Sequence, residues 1–425
     1  MKPARAFAGK RYAVLGLART GLSVVDYLWN SSASLVAWDD REEAREQVQG
    51  KARLADPLGM DLGKFDGIVV SPGVPINRHP IAQKAREAGV PLIGDIELFA
   101  QARAELPPHR VVGITGTNGK STTTALIHHI VKTAGIPVRL GGNIGKPILG
   151  EQELEEGGVY VLELSSFQID LTQSLDCDVA ILLNVTPDHL DRYENFEAYA
   201  ASKARLFEMQ SAGHAKIIAI DDAPSQAIAA GAEGAVMQIS AGGCMDQSNW
   251  PALQGPHNAQ NAIAAMSAAR RLGIGEEAIE AALRTFPGLP HRMERVGDRG
   301  GVLFINDSKA TNPTSTAPAL AAYPAIHWIV GGRAKADDLD ACEPYFGHVR
   351  AAYTVGETAA TFEKLLTPWM PVSNCGTIRQ AVQIAAQAAR PGETVLLSPA
   401  CASFDQYRDF EERGDDFRAA VGGLS

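Results

Sequence analysis

Short, almost uninterrupted apolar runs recur along the chain. YAVLGL, SLVAWD and GIVVSPG lie near its start, VVGIT, YVLELSS, VAILLNVT and KIIAID in its middle, and VLFINDS, IHWIVGG, AAYTVG and TVLLSPA toward its end. Runs of this length without polar alternation predict strands covered on both faces. Longer segments with helical spacing separate them. A helix expected from about Thr20 places Leu22, Val25 and Leu28 on one face, and another is expected over roughly 258–272. Strand–helix–strand alternation predicts parallel sheets and an α/β fold. Two proline-rich breakers, ELPPHR around Pro107 and Pro108 and FPGLPHR around Pro287 and Pro290, divide the chain into three expected units, 1–97, 98–288 and 289–425. No short-period repeat or low-complexity segment interrupts this pattern.

Composition narrows the picture. The 425 residues are 45% hydrophobic and 21% charged, enough apolar material for several cores. A formal net charge of -10 argues against a nucleic-acid-binding face. It leaves phosphate-bearing ligands open, because helix N-termini bind phosphate on acidic proteins too. The cysteines are Cys177, Cys244, Cys342, Cys375 and Cys401, an odd number without a CxxC pair. Neither a disulfide framework nor a zinc site is expected, which fits a reducing cytosol. Cys401 reads as a small buried side chain. The first apolar run is short and broken by Arg19, so it reads as a strand and turn, not a secretory signal. No segment has the length of a membrane span. The expectation is a cytoplasmic protein with neither nucleic acid nor membrane as partner.

The most specific local pattern is Gly116-Thr117-Asn118-Gly119-Lys120-Ser121-Thr122, set between an expected strand and an expected helix. Glycines let several backbone N–H groups converge on one anion, and the helix N-terminus adds positive potential. Lys120 can reach outer phosphates, and a hydroxyl at Ser121 or Thr122 can ligate Mg²⁺. The longer phosphate-loop pattern needs glycine where Ile114 stands, so this is a shorter variant.

A second turn, Gly16-Leu17-Ala18-Arg19-Thr20-Gly21, resembles GxGxxG with Ala18 in the middle, and Asp39 and Asp40 close the next strand. A dinucleotide with its ribose on the carboxylate is one reading. A different nucleotide with phosphates at 19–21 and its base near 39–41 is another, and a plain structural turn is a third. Polar clusters follow four strands: Glu163, Ser165, Ser166 and Gln168; Asn184, Thr186, Asp188, His189 and Asp191; Asn306, Asp307, Ser308, Lys309, Thr311 and Asn312; and Ser398, Ser403 and Asp405. Ligands of open parallel sheets sit beyond the carboxyl ends of the strands. Glu163 and His189 suit a hard divalent ion, Mg²⁺ or Mn²⁺. Lys203, by position alone, reads as an exposed helix lysine.

Taken together, SPG (71–73), GDIELF (94–99), GTNGKST (116–122), GGNIG (141–145), LELSSFQ (162–168), NVTPDHLDRY (184–193), HNAQNA (257–262), GLPHRME (288–294), NDSKATN (306–312) and SPACASFDQ (398–406) resemble the Mur ligase family, and the last two with LELSSFQ its glutamate-adding branch. The resemblance spans essentially the whole chain. It implies a Rossmann-like UDP-binding domain (1–97), a central P-loop ATPase domain with a mainly parallel sheet (98–288) and a Rossmann-like glutamate-binding domain (289–425). It implies a monomeric ATP-dependent ligase of cytoplasmic peptidoglycan precursor synthesis, with UDP-N-acetylmuramoyl-L-alanine and D-glutamate as substrates. The route implied is an acyl-phosphate followed by a tetrahedral intermediate. The residues themselves do not spell out the stereochemistry of glutamate.

Carried over by the resemblance, Lys120, His189 and Lys203 are catalytic. Gly116, Thr117, Asn118, Gly119, Lys120, Ser121, Thr122, Asn258, Asn261, Arg292 and Asp307 hold ATP. Arg19, Thr20, Asp39, Asp40, Arg41, Ser71, Gly73, Asn143 and His189 hold the UDP-linked substrate, and Lys309, Thr311, Lys335, Ser403 and Phe410 hold glutamate. Ser121, Glu163, His189 and Lys203, if carbamylated, are the metal ligands. GGRAKA (331–336) departs from the family by lacking a later glycine, which leaves the detail of that loop open. Three rival readings fit less of the sequence. A nicotinamide dehydrogenase leaves GTNGKST unexplained. A sibling ligase for another amino acid should differ at NDSKATN and SPACASFDQ. A nucleotide-sensing module would bind ATP without turnover.

Overall fold

The structure, a computed structural model, describes residues 1–242, 245–334 and 338–424. Its described strands form three sheets. The first contains β1 (Arg11–Leu15), β2 (Ser34–Trp38), β3 (Arg53–Leu54), β4 (Gly67–Val70) and β5 (Leu92–Ile93), ordered β3-β2-β1-β4-β5 and parallel throughout. The second contains β6 (His109–Thr115), β7 (Val138–Gly142), β8 (Gly158–Glu163), β9 (Val179–Leu182), β10 (Ala215–Ala219) and β11 (Val236–Ile239), ordered β11-β10-β9-β6-β8-β7 and also parallel. The third contains β12 (Glu294–Arg299), β13 (Val302–Asn306), β14 (Ile326–Gly331), β15 (Val349–Val355), β16 (Val372–Gly376) and β17 (Thr394–Leu397), ordered β12-β13-β17-β14-β15-β16. Only its β12–β13 pair is antiparallel.

The chain packs as two compact units, Met1–Gly243 with Gln260–Ala282, and Cys244–Ala259 with Leu283–Ser425. The first holds two sheets over a shared core. Val14, Val24 and Leu28 belong to the same buried cluster as Phe99, Leu162, Leu182 and Leu206. In the second unit, two clusters cover the two faces of its sheet, one with Trp328, Val330 and Leu396 and the other with Ile329, Tyr353 and Leu397. Alternate residues of β14 and β17 thus point to opposite clusters, as a strand of period two requires.

Most expected strands lie on the central positions of these sheets, where both faces are covered. β4, β9 and β17 are buried at every residue. Several edge and short strands carry no such signal. β12, sequence ERVGDR, is largely exposed, and β3 and β5 have two residues each. The helix after β1 spans Arg19–Asn30 and buries Val24, Val25, Tyr27 and Leu28, while Leu22 is only partly covered. The helix expected over 258–272 spans Pro256–Arg271. One reading from position alone is corrected: Lys203 is not an exposed helix lysine but 1% exposed, because its helix, Phe196–Glu208, packs that face inward. Cys401 is fully buried, with its thiol near Thr358 Oγ1.

Candidate active site

Because β6 lies between β9 and β8, the segments that leave their carboxyl ends meet at one sheet edge. The loop after β6 turns through Gly116 (φ 149°) and Gly119 (φ 83°), both in the left-handed half of backbone space that glycine tolerates. A Cβ at Gly119 would overlap Asn261 Oδ1. Asn184, just past β9, clamps the loop. Its carbonyl accepts from Thr117 N (2.9 Å), its Oδ1 accepts from Asn118 N (2.8 Å), and its Nδ2 donates to Asn118 O (3.1 Å). Thr117 Oγ1 lies 3.1 Å from Thr186 O and 3.0 Å from the Tyr199 hydroxyl. The helix Lys120–Thr133 then starts with Gly119 as its cap, so its first N–H groups face the loop.

Lys120 folds back over this loop, its Nζ donating to Gly116 O and Thr117 O at 2.8 Å each. Lys203 Nζ donates to the same Gly116 O at 2.9 Å and lies 4.5 Å from the Tyr199 ring centre. Burial first, and the neighbouring Lys120 second, push the Lys203 pKa well below that of an ordinary lysine; Asp188 and Asp170 oppose this only in part.

Glu163 ends β8, paired with Ile114 on one side and Gly142 on the other. It is 2% exposed. Its Oε1 accepts from Asn143 Nδ2 at 2.8 Å, whereas Oε2 is buried with no hydrogen-bond partner among the described residues. A buried carboxylate oxygen left without a donor is costly unless something cationic meets it. Asn143 is held by its own N–H to Glu163 O (2.8 Å), an approach that Gly142 (φ 91°) permits, since a Cβ there would overlap that carbonyl. His189 has φ 54° and donates its N–H to Asp188 Oδ1 (2.9 Å), while its carbonyl accepts from Arg192 N (2.8 Å); its ring lies 5.0 Å from that of Phe167.

Does this donor set fit a metal? Among the described residues no group of three or more His, Cys, Asp or Glu side chains is arranged to hold one. A soft or closed protein cage is therefore not what these residues offer. A Glu163 Oε2 without a hydrogen-bond partner among the described residues, and a buried Ser121 hydroxyl in the first helical turn, suit an ion that keeps few protein ligands and takes phosphate oxygens, as Mg²⁺ does.

At the edge of the first sheet, Ser71 Oγ donates to Gly16 O (2.8 Å), tying the loop after β4 to the glycine turn after β1. Arg19 and Thr20 open the helix Arg19–Asn30. Asp39 Oδ2 accepts from Leu17 N (2.7 Å), and its Oδ1 accepts from Arg41 N and Nε (3.0 Å each). Partial burial alone would raise this carboxyl, but those hydrogen bonds from Arg41 and Leu17 outweigh it and bring the pKa down to about 2. Asp40, Arg41 and Gly73 are exposed, and a Cβ at Gly73 would meet no neighbouring atom within 4 Å.

In the second unit, Asp307 sits just past β13. Its Oδ2 accepts from Ser398 Oγ (2.8 Å) and its Oδ1 from Met293 N (3.1 Å). Burial raises its pKa to about 7 despite those bonds and nearby Arg292 and Arg413. Lys309 Nζ lies 4.0 Å from the Phe410 ring centre. Ser403 is buried and Thr311 half-buried. Lys335 falls outside the described residues. Asn258 Nδ2 donates to Gln254 O (3.0 Å), and Asn261 Oδ1 accepts from Thr123 Oγ1 (3.2 Å).

Three further residues organise these sites. Asn184 was visible as a polar strand end, but its role as a clamp depends on pairing between β6 and β9. Tyr199 had no signal in the sequence beyond an aromatic on a helix. Arg413 is buried on the helix Phe410–Gly422 and donates from Nε to Ser308 Oγ (3.0 Å) and from Nη2 to Ser308 O (2.7 Å), while Ser308 Oγ donates to Phe410 O (2.8 Å). It thereby braces both the Ser308–Lys309 turn and Phe410.

Comparison with known proteins bears on what this arrangement serves. Three family models match: the Mur ligase MurD-like N-terminal domain over residues 10–94, the Mur ligase middle domain over 114–252, and the Mur ligase glutamate ligase domain over 291–401. The UDP-N-acetylmuramoylalanine–D-glutamate ligase of Novosphingobium aromaticivorans is 62% identical, covering 99% of this chain and 96% of its own. Those of Sphingopyxis alaskensis and Zymomonas mobilis are 59% and 54% identical, covering 100% and 98% of this chain and the same shares of their own. Among solved structures, the MurF ligase of Thermotoga maritima in complex with ADP matches with a TM-score of 0.60 at 15% identity, over 98% of this chain and 95% of that one. The UDP-N-acetylmuramate–alanine ligase of the same organism matches with a TM-score of 0.59 at 14% identity, over 97% and 99%. At such identities these two structures speak for the fold alone.

Proposed function

Since the chain belongs to the Mur ligase family, among its UDP-N-acetylmuramoylalanine–D-glutamate ligases, we propose that it joins D-glutamate to UDP-N-acetylmuramoyl-L-alanine at the expense of ATP. One observation within the structure carries this reading furthest. A glycine loop at a helix N-terminus is capped by two lysines on one carbonyl, and the adjoining strand ends on a buried carboxylate oxygen with no hydrogen-bond partner among the described residues. That is a site for a phosphoryl group and a cation.

A carboxylate is a poor electrophile until one of its oxygens becomes a leaving group. In the proposed reaction the terminal carboxylate of the UDP-linked substrate attacks the γ-phosphorus of ATP, ADP leaves, and an acyl-phosphate forms. The glutamate amine then attacks the acyl carbon. The tetrahedral intermediate loses a proton from nitrogen and expels inorganic phosphate, leaving the amide. The N–H groups of Gly116–Thr122 cradle the phosphates, and Lys120 exchanges its two carbonyl acceptors for the γ-phosphoryl oxygens, where charge develops. Asn258, Asn261, Arg292 and Asp307 serve the adenosine end of ATP. Ser121, Glu163, His189 and a Lys203 carbamate would hold Mg²⁺ or Mn²⁺, which when bound would add charge neutralisation. The lowered pKa of Lys203 supports the carbamate, which forms when a neutral amine adds carbon dioxide and releases a proton.

In the same reading, residues 1–97 form the UDP-binding domain, with Arg19, Thr20, Asp39, Asp40, Arg41, Ser71 and Gly73 at the nucleotide and Asn143 and His189 at the muramoyl end. Residues 98–288 form the ATPase domain. Residues 289–425 bind glutamate through Lys309, Thr311, Lys335, Ser403 and Phe410. No described helix is long and apolar enough to cross a membrane, and the proposed setting is the cytoplasm, with the protein acting as a monomer. Phosphate release from ATP tests the reading. It should require both UDP-N-acetylmuramoyl-L-alanine and D-glutamate. Release that follows L-glutamate instead would change the substrate, and folded, ATP-binding protein that releases none with either isomer would refute the reaction.

A further inference from the structure

Arg192 makes an unusual set of contacts for a loop arginine. From the segment that follows β9, its Nη2 donates to Pro72 O (3.3 Å) and Val74 O (3.1 Å), in the loop that follows β4. Its guanidinium lies 4.3 Å from the ring centre of Phe167. The tie is reciprocal. Arg78 Nη2 and Asn77 Nδ2, from the β4 loop, both donate to Asp191 O, at 2.6 and 3.4 Å. Two loops of one compact unit, attached to different sheets, are thus fastened by contacts running in both directions.

Each loop continues into a different part of the proposed site. Ser71, at the start of the β4 loop, is bonded to Gly16 O of the first glycine turn. On the other side, Arg192 N donates to His189 O (2.8 Å), closing a turn whose first residue holds φ 54°. Phe167, on which the guanidinium rests, also touches the His189 ring (5.0 Å) and stacks on Tyr193 (6.0 Å, 13°). Tyr193 is anchored in turn by Asp170 Oδ2 at 2.8 Å. The same arginine therefore sits between the turn that would take the diphosphate and the turn that presents His189.

We propose that Arg192 is a positioning residue that sets the register between the nucleotide end and the reacting end of the UDP-linked substrate. This inference rests on the function proposed above. A substrate that spans from the Gly16 turn to the phosphate loop gains from both ends only if their separation is fixed in advance. The planar guanidinium suits the task, since Nη2 reaches two carbonyls while the face packs on an aromatic ring. A lysine ammonium could still donate to a carbonyl but has no planar face to lay on Phe167.

Calorimetry with three ligands tests the inference: UDP-N-acetylmuramoyl-L-alanine, UDP alone and ADP. Losing charge-assisted hydrogen bonds and the stacking, Arg192→Ala should weaken the whole substrate about tenfold. UDP alone and ADP, which do not use the register, should stay within about twofold. Arg192→Lys should recover little of the loss. If Arg192→Ala does not fold, Phe167→Leu removes the ring support alone and should show the same selectivity in weaker form. An equal loss for UDP alone, a parallel loss for ADP, full recovery by lysine, or no loss for the whole substrate would each overturn the proposal. Wild-type protein that fails to bind UDP-N-acetylmuramoyl-L-alanine would instead refute the functional reading, and the register role with it.

Discussion

Lys120 and Lys203 donate to one carbonyl oxygen, and that shared acceptor brings two amines together, the second of them buried. The consequence for Lys203 has a definite sign. In the unfolded chain it keeps its proton up to about 10.5, whereas in the folded chain it gives it up well below that. Between those limits the unfolded state binds more protons, so the residue costs stability that shrinks as pH rises. In carbon-dioxide-free buffer, Lys203→Met should raise the unfolding midpoint at neutral pH, and the gain should diminish toward pH 10.5. The same variant should lose nearly all turnover. Asp307 behaves oppositely. Its carboxyl is raised from 3.8 to about 7. It is costly above that range and harmless below its unfolded value. Asp307→Asn should therefore stabilise the protein relative to wild type in thermal unfolding above pH about 7, with the advantage gone by pH about 4. Neither environment was readable beforehand. Spacing marks Lys203 only as a helix residue, and its burial follows from which face that helix packs, a property of tertiary contacts. Gly116–Thr122 was legible because its chemistry is local: glycine conformations, a helix start and a lysine within seven consecutive residues.

At the scale of elements, two glycines fix how strands hand over to helices. A Cβ at Gly21 would overlap Gly16 O, so the helix Arg19–Asn30 can lie this close to the first turn only without a side chain there. Gly21→Ala should destabilise the fold by about 2–4 kcal/mol in denaturant titrations, because backbone and not a flexible side chain must yield. Gly119→Ala meets Asn261 Oδ1 and a backbone at φ 83°. It should lower ATP affinity at least about tenfold, read by calorimetry, through loss of the loop geometry and not of any charge. Buried central strands such as β6, β9 and β17 announce themselves as apolar runs. Strands at the edges do not: β7 ends in two glycines, and four of the six residues of β12, ERVGDR, are charged. Their pairing is imposed by neighbours and not by their own propensity.

For the whole molecule, prolines at 107–108 and 290 stand just before β6 and β12, the first strands of the second and third sheets. That much of the architecture is written in breakers. That the first two sheets share a single buried cluster is not, since it depends on which apolar faces meet after residues far apart in sequence come together. The chemistry also belongs to this scale, because an acyl-phosphate links the consumption of ATP to amide formation through one shared oxygen atom. The most direct measurement places heavy oxygen in both carboxylate positions of UDP-N-acetylmuramoyl-L-alanine and follows it by mass spectrometry during turnover with ATP and D-glutamate. The account predicts one labelled oxygen in each phosphate released and one retained in each new amide. Unlabelled phosphate, formed in step with product, would contradict it.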